Sequence, residues 1–462
     1  MASETTAAPL LFQHFGARVV SARFDGGDIT SDGGAVLLRA TDERIGLLER
    51  AAACFRDQRD PARIQHSVLD LLRQRVFGLA LGYEDLVDHD ELRRDRLLAA
   101  VVGKRDVGEA LLAGKSTLNR VELTLGKVAA DERYKKVALD SEALDRVLVD
   151  TFLDAHEEAP PWIEIDLDTT DVALHGRQEG RFFHGYYGHY CYLPLYVFCG
   201  EHLLLARLGT ADRDGAAGAV AELARIVQRI RERWPATEIL IRGDAGFCRE
   251  ELMAWCEDNT LWYVFGLAKN ARLIALITNE LAAAKAACEE RKEPSRVFAE
   301  LEYATLDSWT ATRRVVAKAE HLVGDKSNPR FVVTNVPADA FAAQMLYEDV
   351  YCSRGEMENR IKEQQLYLFA DRASAATLRA NQIRLYLSSL AYVLLAALRR
   401  SGLTGTEMAR AQCHTIRTKL LKIGAVIRVT VRRVWVSMSG SYPYRELFAG
   451  IHGRLTAARA GP

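Results

Sequence analysis

Between residues 162 and 267 the chain reads as an ordered series of strands and helices, and that order limits the possible folds more than any other feature. Trp162-Ile163-Glu164-Ile165-Asp166-Leu167-Asp168 alternates apolar and acidic residues and predicts a strand. Tyr190 to Phe198 predicts a second, with Pro194 arguing for an edge or an irregularity. Leu203 to Leu208 is a third. A helix is expected over 215–233, a fourth strand over Glu238 to Arg242, a helix over 248–258 and a fifth strand over Trp262 to Leu267. Three strands arrive without crossover helices, and alternation follows. That pattern predicts a mixed α/β sheet rather than a simple doubly wound one.

The flanks differ. Helical periodicity is read at 34–53, 62–80, 89–101 and 130–155, as in VLDLLRQRVFGLAL, with no strand alternation seen. Residues 1–155 therefore read as a mainly helical N-terminal domain. After the EAPP turn (158–161) the sheet region occupies 156–267. A helix at 272–290 and strand-like stretches at 296–305, 309–317 and 329–335 interrupt it, giving a β-rich segment over 268–340. Helices return at 338–348, 354–369 and 374–400, so 341–400 completes the α/β region, and 401–462 is a basic C-terminal region.

Composition excludes several classes. With 49% hydrophobic and 27% charged residues over 462 positions, the chain buries large cores. Lys and Arg number 61 against 62 Asp and Glu, so bulk charge does not announce a nucleic-acid binder, although a local patch suffices for one. The eight cysteines form no CxxC and fit a reducing cytoplasm. No basic flank and apolar run opens the chain, so a signal peptide is not expected. Leu385 to Leu398, the longest apolar helix candidate, has 14 residues, short of the roughly 20 that span a bilayer. Ala113-Gly114-Lys115-Ser116-Thr117 imitates the end of a phosphate-binding loop, but Glu109 stands where its first glycine belongs.

Three acids carry the candidate chemistry. Asp168 ends the first strand, Asp244 follows the fourth, and Glu358 lies in the helix expected over 354–369. If strands one and four are neighbours, Asp168 and Asp244 meet, and a helix across the sheet can add Glu358. Clustered carboxylates need a countercharge, which hard divalent cations such as Mg²⁺ or Mn²⁺ supply. Two such ions suit phosphoryl transfer. Each acid alone would be an ordinary cap. Asp166 shares a strand face with Asp168 and is either a further ligand or a buried polar neighbour. Glu356 lies about 200° around the helix from Glu358. Arg354, Glu358, Lys362 and Gln365 share a face, which fits either an active-site helix or a salt-bridged surface.

At these residues the sequence resembles bacterial insertion-sequence transposases of the IS1380 type, within the IS4-like DDE superfamily. The likeness runs through Asp168-Thr169-Thr170-Asp171, His175-Gly176-Arg177-Gln178-Glu179-Gly180, Phe182 to Gly188, Arg242-Gly243-Asp244-Ala245-Gly246-Phe247, Phe331 to Asn335 and Glu358-Asn359-Arg360-Ile361-Lys362-Glu363. Thr30-Ser31-Asp32-Gly33-Gly34 is similar to the family's opening. The resemblance implies a ribonuclease-H-like catalytic core with the 268–340 segment as insertion domain. It implies Asp168, Asp244 and Glu358 as catalytic residues and metal ligands, with Mg²⁺ (or Mn²⁺), two ions in all. The superfamily signature of Tyr, Arg, Glu and Lys matches at Tyr351, Arg354 and Glu358. It fails at Gln365, where lysine is expected to contact phosphate; Lys362, one turn earlier, is the substitute.

The partners implied are double-stranded DNA bearing terminal inverted repeats, target DNA, and a second copy of the chain in the DNA complex. The implied reaction is DNA cutting and joining, with hairpinned ends, in a bacterial cytoplasm and without a membrane. DNA-contacting candidates are Tyr351, Arg354, Lys362, Gln365, His175 and Gln178. Arg417, Lys419 and Lys422 join them, from a run between Arg410 and Arg433 that holds seven Lys and Arg and no acid. The N-terminal domain is the other candidate for reading the repeat. Two alternatives stand beside this reading: a metal-dependent nuclease without strand transfer, and a decayed DNA-binding protein, for which Gln365 is the support.

Overall fold

Apolar alternation on the first strand sets the architecture, because Ile163, Ile165 and Leu167 all point into one core. The structure, a computed structural model, describes residues 9–15, 18–107, 111–128, 135–324 and 326–457. Residues 1–8, Gly108 and Glu109, which bear on the leader and phosphate-loop readings, lie outside the described residues, as do 130–134 of the helix expected at 130–155. The chain divides into two compact units. One comprises Cys54–Arg56 and Glu122–Ser389; the other comprises Met1–Ala53, Asp57–Val121 and Leu390–Pro462.

The first unit is mixed α/β. Its strands are β1 (Trp162–Thr169), β2 (His189–Cys199), β3 (His202–Thr210), β4 (Glu238–Gly243), β5 (Trp262–Leu267), β6 (Ser295–Tyr303), β7 (Arg313–Leu322) and β8 (Arg330–Thr334). They lie in the order β3-β2-β1-β4-β5-β8-β7-β6. β1, β4 and β5 are mutually parallel, and the outer pairings are antiparallel. The strands read at 296–335 thus extend the central sheet through the β5–β8 pairing. Short strands Val172–Ala173 and Phe182–His184 pair with β2.

Helices α1 (Ser141–Leu153), α2 (Ala219–Arg233), α3 (Glu250–Asp258) and α4 (Thr278–Arg291) follow the expected order. Phe152, Leu223, Ile226, Ile230, Leu252 and Met253 from the first three join Ile165 and Ile241 in the larger core. Each buried side chain of this kind contributes roughly 2 kcal/mol. On the sheet's other face Leu240, Val264, Val316 and Val332 pack under Leu346, Tyr347 and Val350. That segment leads into α5 (Gly355–Leu368), and α6 (Leu378–Leu398) follows.

The other unit is helical with short strands, which corrects the strand-free reading of the first 155 residues. Leu10–Phe15 pairs with Arg18–Ala22, and Ile29–Thr30 pairs with β9 (Ala425–Val429), itself paired with β10 (Val434–Met438). These strands are too short or too exposed to print an apolar alternation. The helix expected at 34–53 breaks at Gly46, whose φ of 62° ends Ala35–Ile45 before Leu47–Ala53 begins. Gly34 is there for close approach: a Cβ on it would lie 1.9 Å from the carbonyl oxygen of Leu420.

His89 in this unit is fully buried, with Nδ1 3.2 Å from the Gln74 amide. Burial, helped by Arg75, pushes its imidazole down to about 3. The folded protein therefore stays neutral here while the unfolded chain takes a proton below its ordinary value near 6.5. Stability is full above pH 6.5 and falls as pH drops towards 3, by about 1.4 kcal/mol per unit. Urea midpoints at pH 7 and pH 5 are expected to show the wild type losing about 2 kcal/mol more than His89→Leu. Equal losses would mean that the folded state protonates His89.

Candidate active site

Since Ile163, Ile165 and Leu167 face the larger core, Glu164, Asp166 and Asp168 face the opposite side of the sheet. On β4, Leu240 packs on that side too, and Arg242 and Asp244 follow it at spacings of two. β1 and β4 run parallel with Arg242 opposite Asp166 and Gly243 opposite Leu167. One residue on, Asp168 and Asp244 stand at adjacent carboxyl ends of parallel strands, the usual mouth of an open α/β sheet. Asp244 Oδ1 accepts the Gly246 N–H at 2.9 Å, which fixes the carboxylate in its turn.

The glutamate arrives on the segment that covers this face. Leu346–Tyr351 forms a widened π-type turn, Cys352–Arg354 a tight one, and Glu358 lies in the first turn of α5. Gly266 of β5 lets the segment approach. A Cβ there would lie 2.6 Å from the Tyr351 hydroxyl and 2.9 Å from the Ala245 nitrogen. Arg354 reaches between two of the acids, with Nη1 3.6 Å from Asp168 and Nη2 3.8 Å from Glu358. Its Nη1 is buried without a hydrogen-bond acceptor.

Burial pushes the Asp168 carboxyl up to about 6; Arg354 opposes the rise, while Asp244 and Glu358 add to it. Asp168 thus feels both of the other acids. Among the described residues, no three His, Cys, Asp or Glu side chains are drawn close enough to enclose a metal ion. The donor chemistry still suits a hard divalent cation, since every candidate ligand is a carboxylate oxygen and the site is short of positive charge. Tyr351 is raised by burial and by Asp244, against Arg354.

Other expected residues are placed as follows. Lys362 is mostly exposed, 4.0 Å from Glu358. Gln365 donates to the Asp171 carbonyl at 3.3 Å, and the Asp171 carboxylate meets His189 Nε2 at 2.7 Å. His175 is exposed. Gln178 accepts from the Gly176 N–H and donates to the Ala373 carbonyl, each at 3.0 Å, so it braces its loop. In the other unit Arg417 is buried and caps a helix end, donating to the Ala80 and Leu79 carbonyls at 2.8 and 3.1 Å. Lys422 pairs with the buried Asp32 at 2.7 Å and lies over the Tyr83 ring. Arg417 and Lys422 are thus engaged by groups of their own unit. Lys419 stays exposed, 5.1 Å from the Tyr444 ring centroid.

Two residues escaped the sequence reading. Arg242 is buried and grips both oxygens of Asp166, at 2.6 and 2.9 Å. It also reaches Glu164 at 2.6 Å, the Val350 carbonyl at 2.8 Å and Ser353 Oγ at 2.6 Å. Asp166 is therefore an ion-pair partner and not a free ligand. Arg242 ties both strands to the turn that carries Tyr351 and Arg354. Tyr187 is pushed up to about 12 by burial, and Asp171 and Asp168 add to the rise. For neither was there a local signal, since the register that sets Arg242 opposite Asp166 is a property of the paired strands.

No curated protein matches the chain. Among solved structures, it is similar to a piggyBac transposase in a synaptic complex with hairpin DNA, at 12% identity and a TM-score of 0.42, over 93% of this chain and 83% of that one. No helix among the described residues is long and apolar enough to cross a membrane. The sequence profile of transposase DDE domain group 1 matches residues 12–460, and the chain belongs to that family of DDE transposases.

Proposed function

We propose that this chain cuts and joins DNA at the ends of an insertion sequence of the IS1380 type, using a ribonuclease-H-like core. The observation that carries the reading is the meeting of Asp168 and Asp244 at adjacent strand ends under Glu358, with the Asp168 carboxyl pushed up to about 6. These three acids would hold Mg²⁺ or Mn²⁺, with two ions as the expected complement. When bound, the ions supply positive charge against the phosphodiester undergoing displacement. Arg354, which lies beside Asp168 and Glu358, would donate to a non-bridging phosphate oxygen. Tyr351 and Lys362 orient the same strand.

In the first step water attacks phosphorus, the bond to the 3′ oxygen breaks, and the water proton ends on the released 3′-hydroxyl. That hydroxyl then attacks a second phosphodiester, forming a new ester and expelling another hydroxyl. Attack on the opposite strand gives a hairpin; attack on target DNA gives a joined product. Terminal inverted repeats are the substrate, and two copies of the chain bring two ends together.

The test is cleavage of an end-labelled duplex carrying the DNA that flanks the gene, with Mg²⁺, on a denaturing gel. Wild type is expected to cut at the repeat end and to yield hairpin or joined strands. Asp244→Asn is expected to bind the duplex and leave it intact. Cuts without joined product would make the protein a nuclease. Intact DNA with wild type, despite binding, would overturn the reading in favour of an inactive DNA-binding protein.

A further inference from the structure

The run of basic residues after Arg410 separates into two kinds in the structure. Arg417 and Lys422 are held by backbone carbonyls and by Asp32. Arg428, Arg432 and Arg433 are exposed on the β9–β10 hairpin, and none is ion-paired among the described residues. The hairpin is well built. Five register pairs run from Ala425 opposite Met438 to Val429 opposite Val434. At its tip the Thr430 N–H donates to the Arg433 carbonyl at 2.8 Å, and the Arg433 N–H donates to Thr430 Oγ1 at 3.1 Å.

One face of the ribbon, with Ala425 and Ile427, is buried. The other presents Val426 and Arg428 from β9, and Trp435 directly opposite Arg428. The Arg428 and Arg433 guanidiniums lie 5.7 and 5.6 Å from the Trp435 ring centroid, so two cations neighbour the indole. Trp435 is 44% exposed, and Val431 at the tip is fully exposed. The ribbon thus offers an exposed aromatic and three arginines with no carboxylate paired to them among the described residues, a surface whose charge is complementary to an anionic partner.

We infer that the β9–β10 hairpin is a DNA-binding ribbon that lies along a groove of duplex DNA, with Arg428, Arg432 and Arg433 on phosphates and Trp435 against the groove wall. A two-stranded ribbon is of the width that the major groove admits. The inference rests on the reading of the chain as a DNA-processing enzyme, and it assigns the duplex contact to a surface distinct from the carboxylate site.

The experiment measures duplex affinity in EDTA between 50 and 200 mM salt for the full chain and for R428Q/R432Q/R433Q. Loss of three phosphate contacts lowers the slope of log affinity against log salt by about 2.7. Wild type should therefore lose about 40-fold more affinity than the variant across that range. Arg432→Glu, a single change at an exposed tip, is expected to weaken binding in the same direction. Unchanged urea midpoints would show that both variants fold. Equal slopes in wild type and triple variant would overturn the ribbon while leaving the DNA-processing reading intact. Absence of any duplex binding by wild type would remove that reading and the ribbon with it.

Discussion

Replacing Arg242 with methionine is expected to destabilise the protein by about 3–5 kcal/mol, because it strands the Asp166 carboxylate in a site that is closed to water. Asp166 is 3% exposed, and Arg242 supplies its bidentate partner. The same guanidinium also holds the Val350 carbonyl and Ser353 Oγ, so the turn before α5 loosens at the same time. Two effects are thus combined in one variant, and a second substitution separates them. In Asp166→Leu/Arg242→Met the buried charge is gone, and most of the lost stability should return. Strand cleavage should not return, since the segment carrying Tyr351 and Arg354 still lacks its anchor. Urea denaturation of both single variants and the double variant, beside cleavage assays, checks each half. A double variant that cleaves normally would show that Arg242 serves Asp166 alone.

Asp166 shows where the sequence stops being informative. Strand periodicity placed it on the face of Asp168, and that much is local geometry. Which of the two is free depends on Arg242 lying opposite in the parallel neighbour, a pairing that no local pattern encodes. The strands from Trp162 to Leu267 were legible because each is buried on one or both faces and alternates or runs apolar accordingly. The stretches at 295–334 were legible as strands, but their joining to β5 was not, since a hydrogen-bonded edge leaves no mark on side-chain order. Gly266 carries its reason only in three dimensions, in the nearness of the Tyr351 hydroxyl and the Ala245 nitrogen. The basic run divides for a similar reason. Arg417 and Lys422 look like Arg428 and Arg432 in a charge count, and only packing distinguishes a helix cap from an exposed cation.

Asp168→Asn is expected to have opposite effects on activity and stability. Cleavage should fall about a thousandfold or more, as for loss of a group that stabilises charge in the transition state. Stability should rise at neutral pH. The Asp168 carboxyl is pushed up from 3.8 to about 6, first by burial and then by its acidic neighbours, against Arg354. A raised carboxyl favours folding while it is protonated, and that contribution is lost as pH rises from 3.8 through 6. Above pH 6 the ionised Asp168 therefore costs about 3 kcal/mol, which asparagine does not. Urea midpoints should show the variant more stable than wild type at pH 7.5, with the gap closing towards pH 4. A divalent cation bound as proposed would act on the same charge. Added Mg²⁺ is expected to raise the wild-type melting temperature at pH 7.5 by mass action on the folded state, and to raise that of Asp168→Asn much less. At pH 5, where wild-type Asp168 is mostly protonated, the Mg²⁺ effect should shrink in wild type as well. A stability gain that did not depend on pH would trace the effect to packing rather than to the carboxylate's charge.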